Sequence, residues 1–222
     1  TMVDTQMHGH YDGTANNIHT LYILGGKVDL NGVTVLQTAG DALRVSGGKV
    51  MATNFTSLHS GRHGAFADGG ELVISDSYFA DAKEWGLYNK GTTTYLNNVT
   101  FGEIGEDSVI YSIGSGADKP GKVVVGDITV EDADSALAAV HNNDVNATVE
   151  VTGLITMPNS GTGIFVEQGS ATVNGGRITG AQYAVRNAAT FTMNGGWLYN
   201  NIWGLYNEST GDATLNGGFY FG

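Results

Sequence analysis

The chain contains no cysteine, only 2 prolines, and 10 basic residues against 22 acidic ones. It also has no apolar run approaching the roughly 18 residues that a membrane-spanning helix needs. Each shortage excludes something. Without cysteine there is no disulfide framework and no thiolate metal site. The formal net charge of −12 argues against nucleic acid, which is bound by neutralising phosphates with Lys and Arg. It disfavours anionic membrane surfaces for the same reason, and direct membrane insertion is not expected. Such a charge suits solubility, or a weak attraction for cations. The lack of cysteine does not imply the cytosol, because a secreted solenoid draws its rigidity from stacking.

Glycine is abundant, at 34 of 222 residues, and Asn and Thr are plentiful. Gly and Asn tolerate positive φ at little cost, so this mixture suits short strands joined by tight turns. One phrase recurs near the end: Val173-Asn174-Gly175-Gly176-Arg177-Ile178, Met193-Asn194-Gly195-Gly196-Trp197-Leu198 and Leu215-Asn216-Gly217-Gly218-Phe219-Tyr220. A looser form runs back through the chain. Its first apolar position falls at Leu30, Ala52, Ile74, Leu96, Val125, Val151, Val173, Met193 and Leu215, with spacings of 22, 22, 22, 29, 26, 22, 20 and 22. A second column, a small residue before an apolar one, keeps the same beat through Leu43, Ala65, Leu87, Val109, Leu137, Ile164, Val185 and Leu205. Two columns on one period predict a single-domain solenoid whose repeats bury their apolar faces on one another.

Each repeat reads as three short strands. Val28-Asp29-Leu30 alternates apolar and polar residues, which marks a strand with one buried face, and Leu72-Val73-Ile74 takes the same place two repeats on. Val33-Thr34-Val35 exemplifies the second strand and Leu43-Arg44-Val45 the third. Val28, Val50, Leu72, Thr94, Val123 and Val149 form a further inward ladder. About nine such coils, each about 4.8 Å above the last, would stack to roughly 40 Å. Only Asp132 to Val140 reads as a short helical turn. Residues 1–24, which precede the regular rungs, are expected to be a tail or cap, and 25–222 the solenoid. Two corners are lengthened, at Ser112–Gly121 and at Val140–Asn146 with Met157–Gly161, and insertions in solenoids gather on loops that bind.

The loop before the third strand collects charge: Asp41; His59, Arg62 and His63; Asp81, Lys83, Glu84 and Trp85; Glu103, Glu106 and Asp107; Glu131, Asp132 and Asp134. Stacked rung on rung, these line one long edge. Carboxylates so placed suit general acid/base cleavage of a glycosidic bond or Ca²⁺ binding through several oxygens; the plain alternative is that loops are polar because they are wet. No other cofactor is expected. His8-Gly9-His10 with Asp12 has metal-ligand chemistry but sits in the expected tail. Phe66, Tyr88, Phe165 and Tyr206 follow the inward residue of the third strand and should point outward, with Trp85, Tyr183 and Trp203 at the strand's entrance. Exposed aromatics on a rigid face stack on sugars or anchor a protein partner. The candidate binding residues are therefore Phe66, Asp81, Glu84, Trp85, Tyr88, Glu106, Asp107, Tyr183, Trp203 and Tyr206. Asn89, Asn187 and Asn207 share one inward position and suggest an internal amide ladder. Four Asn-x-Ser/Thr sequons (Asn54, Asn98, Asn146 and Asn207) are what an Asn- and Thr-rich chain contains by composition.

The V-N-G-G-x-I and G-L-Y-N phrases on a period near 22 residues, without cysteine, resemble right-handed single-stranded parallel β-helices of the pectin-lyase-like superfamily, most of all bacterial autotransporter passenger and surface adhesin domains. The resemblance covers about residues 25–222. It implies a secreted or cell-surface bacterial protein that adheres to a surface protein or glycan, or to itself, without enzymatic activity. The alternative it implies is a carbohydrate-active lyase or hydrolase. The Asn-Thr-Asp, Asp-Asp, Gly-His-Gly and Arg-Ile-Lys segments of polygalacturonase-like chains are absent, and Gly61-Arg62-His63-Gly64 is only a superficial echo. A final rung left open at Gly222 suggests a piece of a longer protein.

Overall fold

A computed structural model describes residues 2–8, 18–134 and 136–220. They form an all-β solenoid of about nine turns, with parallel pairing from rung to rung and no helix among the described residues. Each turn contributes one strand to each of three sheets. The long elements Leu43–Thr53 and Ala65–Ala80 each turn a corner within the strand. Met2–His8 departs from the repeat in sequence, yet it pairs in parallel with Lys27–Thr38, from Met2 opposite Leu30 to His8 opposite Leu36. Gly9, His10 and Asp12 of the candidate metal motif lie outside the described residues.

The first apolar column holds residue for residue. Leu30, Ala52, Ile74, Leu96, Val125, Val151, Val173, Met193 and Leu215 are each opposite the next. So does the ladder from Val28 to Val149. From Leu30 to Met193 strand alternation therefore becomes a continuous buried wall, each large aliphatic contributing roughly 1.5–3 kcal/mol of transfer free energy, while Leu215 is 50 % exposed. In the second sheet Phe55, Phe79 and Phe101 stack in sequence, with ring centroids 5.8 and 5.6 Å apart and no exposure.

The third-sheet column departs from expectation at two rungs. It runs Leu21, Leu43, Ala65, Leu87, Ile110, Val140, Ile164, Val185 and Leu205, so Ile110 replaces Val109 and Val140 replaces Leu137. At both rungs adjacent apolar residues are buried together, Val109 with Ile110 and Leu137 through Val140, so period-2 alternation cannot choose among neighbouring apolar side chains. The register adopted sends Tyr111 and His141 outward. Among the described residues of Asp132–Val140 the expected helical turn is also absent. Asp134 Oδ1 accepts hydrogen bonds from the N–H groups of Ala136 (2.8 Å) and Leu137 (3.0 Å), the pattern of a helix cap, but the chain passes instead into a strand at Ala138–Asn142.

Corners are set by left-handed residues in register. Gly26, Gly48 and Gly70 have φ of 80°, 79° and 77°, and Asn54, Asp76 and Asn98 occupy the same region at another corner, where their short polar side chains are tolerated. The internal amide ladder is only partial. Ser112 and Val166 interrupt the column of Asn89, Asn142, Asn187 and Asn207. Asn187 does donate to Asn207 (2.7 Å), whereas Asn89 and Asn142 donate to the corner carbonyls of Thr92 and Ala147. A more regular amide chain lies outside, where Asn216 donates to Asn194 and Asn194 to Asn174, both at 2.8 Å, and Asn174 to Glu150 at 2.9 Å.

Candidate functional site

The third sheet presents one outward column along its whole length: Tyr22, Arg44, Phe66, Tyr88, Tyr111, His141, Phe165, Arg186 and Tyr206, each opposite the next. Every member is planar. The Arg44 guanidinium lies 5.4 Å from the Tyr22 ring and 4.7 Å from Phe66. Phe66 and Tyr88 are stacked at 4.8 Å, His141 and Phe165 at 4.7 Å, and Arg186 covers Phe165 at 4.4 Å. A spacing near 4.8 Å between rungs suits offset stacking and cation–π contact. The aromatic signal gave four members. Tyr22 falls in the expected cap and Tyr111 and His141 at the two rungs whose register departs from expectation, while Arg44 and Arg186 share the flatness of the column and not its residue type.

This stacking decides what the candidate aromatics can do. Phe66 is only 7 % exposed, and Trp85 is sandwiched between His63 (5.4 Å) and Tyr111 (4.5 Å). Their faces are taken by neighbours, so what meets solvent is ring edges, phenol oxygens and guanidinium groups. Trp203 and Tyr206 remain 52 % and 45 % exposed. Tyr206 leans on the half-buried Tyr183 at 5.3 Å, beside the Arg186–Glu208 ion pair of 2.6 Å.

The charged loop edge divides into three places. Asp81 pairs with His59 at 3.2 Å in an exposed corner. Glu103, Glu106 and Asp107, with Asp132 and Asp134 of the next rung, line an open cleft of about 390 Å³ floored by Ile104, Ala133 and Leu137. On its far side Asp107 lies 3.7 Å from His141 Nδ1, while Glu167, one rung up, lies 2.8 Å from His141 Nε2. Among the described residues no group of three His, Asp or Glu side chains is arranged to hold a metal ion.

The third place is buried. His19, Asp41, His63 and Trp85 follow one another at the strand entrance, and Asp41 and His63 have no exposure at all. Arg44 donates to Asp68 (2.7 Å) and to His19 Nε2 (3.2 Å), and His19 Nδ1 lies 2.9 Å from Asp41. Asp41 Oδ1 accepts the backbone N–H of His63 at 3.4 Å and stands 3.9 Å from its Nε2. Glu84 Oε2 and Arg62 Nη2 approach the same nitrogen at 3.3 Å each. Arg62 only donates and so pairs with Nε2 as an acceptor, whereas the Glu84 carboxylate only accepts and pairs with Nε2 as a donor. Among the described residues Nδ1 has no hydrogen-bond partner, nor do Trp85 Nε1 and Arg44 Nε. Burial raises the Asp41 carboxyl to about 6 in spite of Arg62. Burial, reinforced by Arg62 and Arg44, lowers His63 to about 3. Sequence reading placed these groups on a wet edge. It missed their sealing, because the covers, Arg44, Arg62 and Trp85, come from three different rungs.

Comparison with known proteins finds no matching family model, no matching curated protein and no matching solved structure.

Proposed function

We propose that this chain is a non-enzymatic binding rod of the right-handed β-helix type resembling autotransporter passengers, secreted or displayed on a bacterial surface. It adheres through the third-sheet face to a surface protein or glycan, or to further copies of itself. One observation carries the reading: the planar column stays unbroken while the turns beneath it lengthen to 29 and 26 residues. A face kept continuous across insertions suits an extended partner held by many weak, repeated contacts. The sealed Asp41–His63 pair argues the same way, since a group with no exposure cannot exchange protons with a substrate.

The open cleft supports a second reading. Its carboxylates come from successive rungs, the arrangement that acid/base cleavage of an acidic polysaccharide would use.

A retention assay separates the two. The purified chain is mixed with peptidoglycan sacculi, insoluble pectin, chitin and immobilised extracellular-matrix proteins, and the chain's own sedimentation is followed alongside. Binding or self-association is expected, and Trp203→Ala with Tyr206→Ala should weaken it roughly 30-fold, the loss of about 2 kcal/mol typical of an aromatic anchor, with the thermal midpoint unchanged. Release of shortened oligosaccharides would favour the second reading. Neither retention nor association would overturn the first.

A further inference from the structure

We propose that Asp41 and His63 act as a proton-compensating latch, a buried pair that holds the loop edge of the third sheet at nearly constant stability across mildly acidic pH. The geometry is a closed cluster. His63 is faced by Asp41 and His19 from the two rungs below, by Arg44 of the outward column, by Arg62 beside it, and by Glu84 from the rung above. The rings of Phe66, Trp85 and Tyr88 close the remaining sides at 5.5, 5.4 and 5.2 Å. The latch also ties backbone together, since the Ala42 N–H donates to the His63 carbonyl and the Gly64 N–H to that of Trp85, both at 3.1 Å.

The two members respond to acid in opposite senses. His63 is held near 3 in the closed loop and returns to 6.5 when exposed. Its contribution to closure is full above pH 6.5 and is lost as pH falls towards 3. Asp41 is held near 6 and returns to 3.8; its contribution is full below pH 3.8 and is lost as pH rises through 6. Between about pH 6 and 3.8 opening therefore takes up a proton at His63 and releases one from Asp41, and the net dependence is small. His19, also lowered by burial, acts in the same direction as His63. The inference does not depend on what the third-sheet face binds.

The test follows the amide exchange of Ala42 and Gly64, corrected for intrinsic pH dependence, in the wild type and three variants between pH 6 and 4. The wild-type opening equilibrium should stay nearly flat. In Asp41→Asn, which mimics the protonated carboxyl, opening should rise about tenfold per pH unit, roughly 100-fold over the range. In His63→Phe it should fall by a similar factor, and the double variant should be flat again. Variant slopes equal to that of the wild type would overturn the proposal. A wild-type measurement guards against variants that fail to fold: with ¹³C-labelled aspartate, the Asp41 carboxyl should titrate near pH 6, and titration in the ordinary carboxylate range would equally overturn it.

Discussion

Phe79→Ala should lower stability by about 3–5 kcal/mol, the range for emptying a large aromatic site in a packed core. Phe79 has no exposure and is the middle ring of the Phe55–Phe79–Phe101 stack, so its removal strips contacts from rings on both sides. In a solenoid each rung rests only on its neighbours, and the gap cannot be filled by collapse from elsewhere. A fall in the thermal midpoint of roughly 10 °C is expected for a domain of this size, read by circular dichroism. A loss below about 1 kcal/mol would mean that the rings do not form the support of the second sheet.

The second large effect needs the addition of one methyl group. Gly48→Ala should cost roughly 3–5 kcal/mol, whereas Gly25→Ala should change stability by less than about 0.5 kcal/mol. At Gly48 φ is +79°, where a side chain is strained by about 1–2 kcal/mol. A Cβ there would also be driven into the Gly26 carbonyl oxygen, with the Gly25 carbonyl carbon at 2.7 Å. Those obstacles are backbone of the rung below and cannot swing away. At Gly25 nothing lies within 4 Å of an added Cβ. Urea denaturation of the two variants checks the contrast; equal losses would show that corner stacking is looser than the register implies.

The same contrast marks how far the sequence could be read. The column from Leu30 to Leu215 was legible because each member is set off by a polar residue or glycine directly after it at every rung. At Val109-Ile110 and Leu137 to Val140 that isolation disappears, and the choice passes to the outer face, where Tyr111 and His141 complete the planar column. Arg44 and Arg186 belong to that column by shape, a property that a search for aromatic residues does not detect. The carboxylates of the loop edge were recognised, but not their separation into an open cleft and a sealed cluster. Asp41 and His63 look like ordinary loop residues until Trp85 is laid across His63 by a ring of the next rung, Tyr111.

Both the architecture and the proposed binding face require that the outward column cross the 29-residue turn without a break. The natural absence of cysteine makes this directly measurable by paired cysteine substitution. Neighbouring rungs lie about 4.8 Å apart, within disulfide range. Tyr111→Cys with His141→Cys, which face each other across the insertion, should therefore close under mild oxidation, while Tyr111→Cys with Val140→Cys, whose side chain faces the core opposite Ile110, should stay reduced. Closure of the second pair and not the first would place the column one residue out of register and contradict the account.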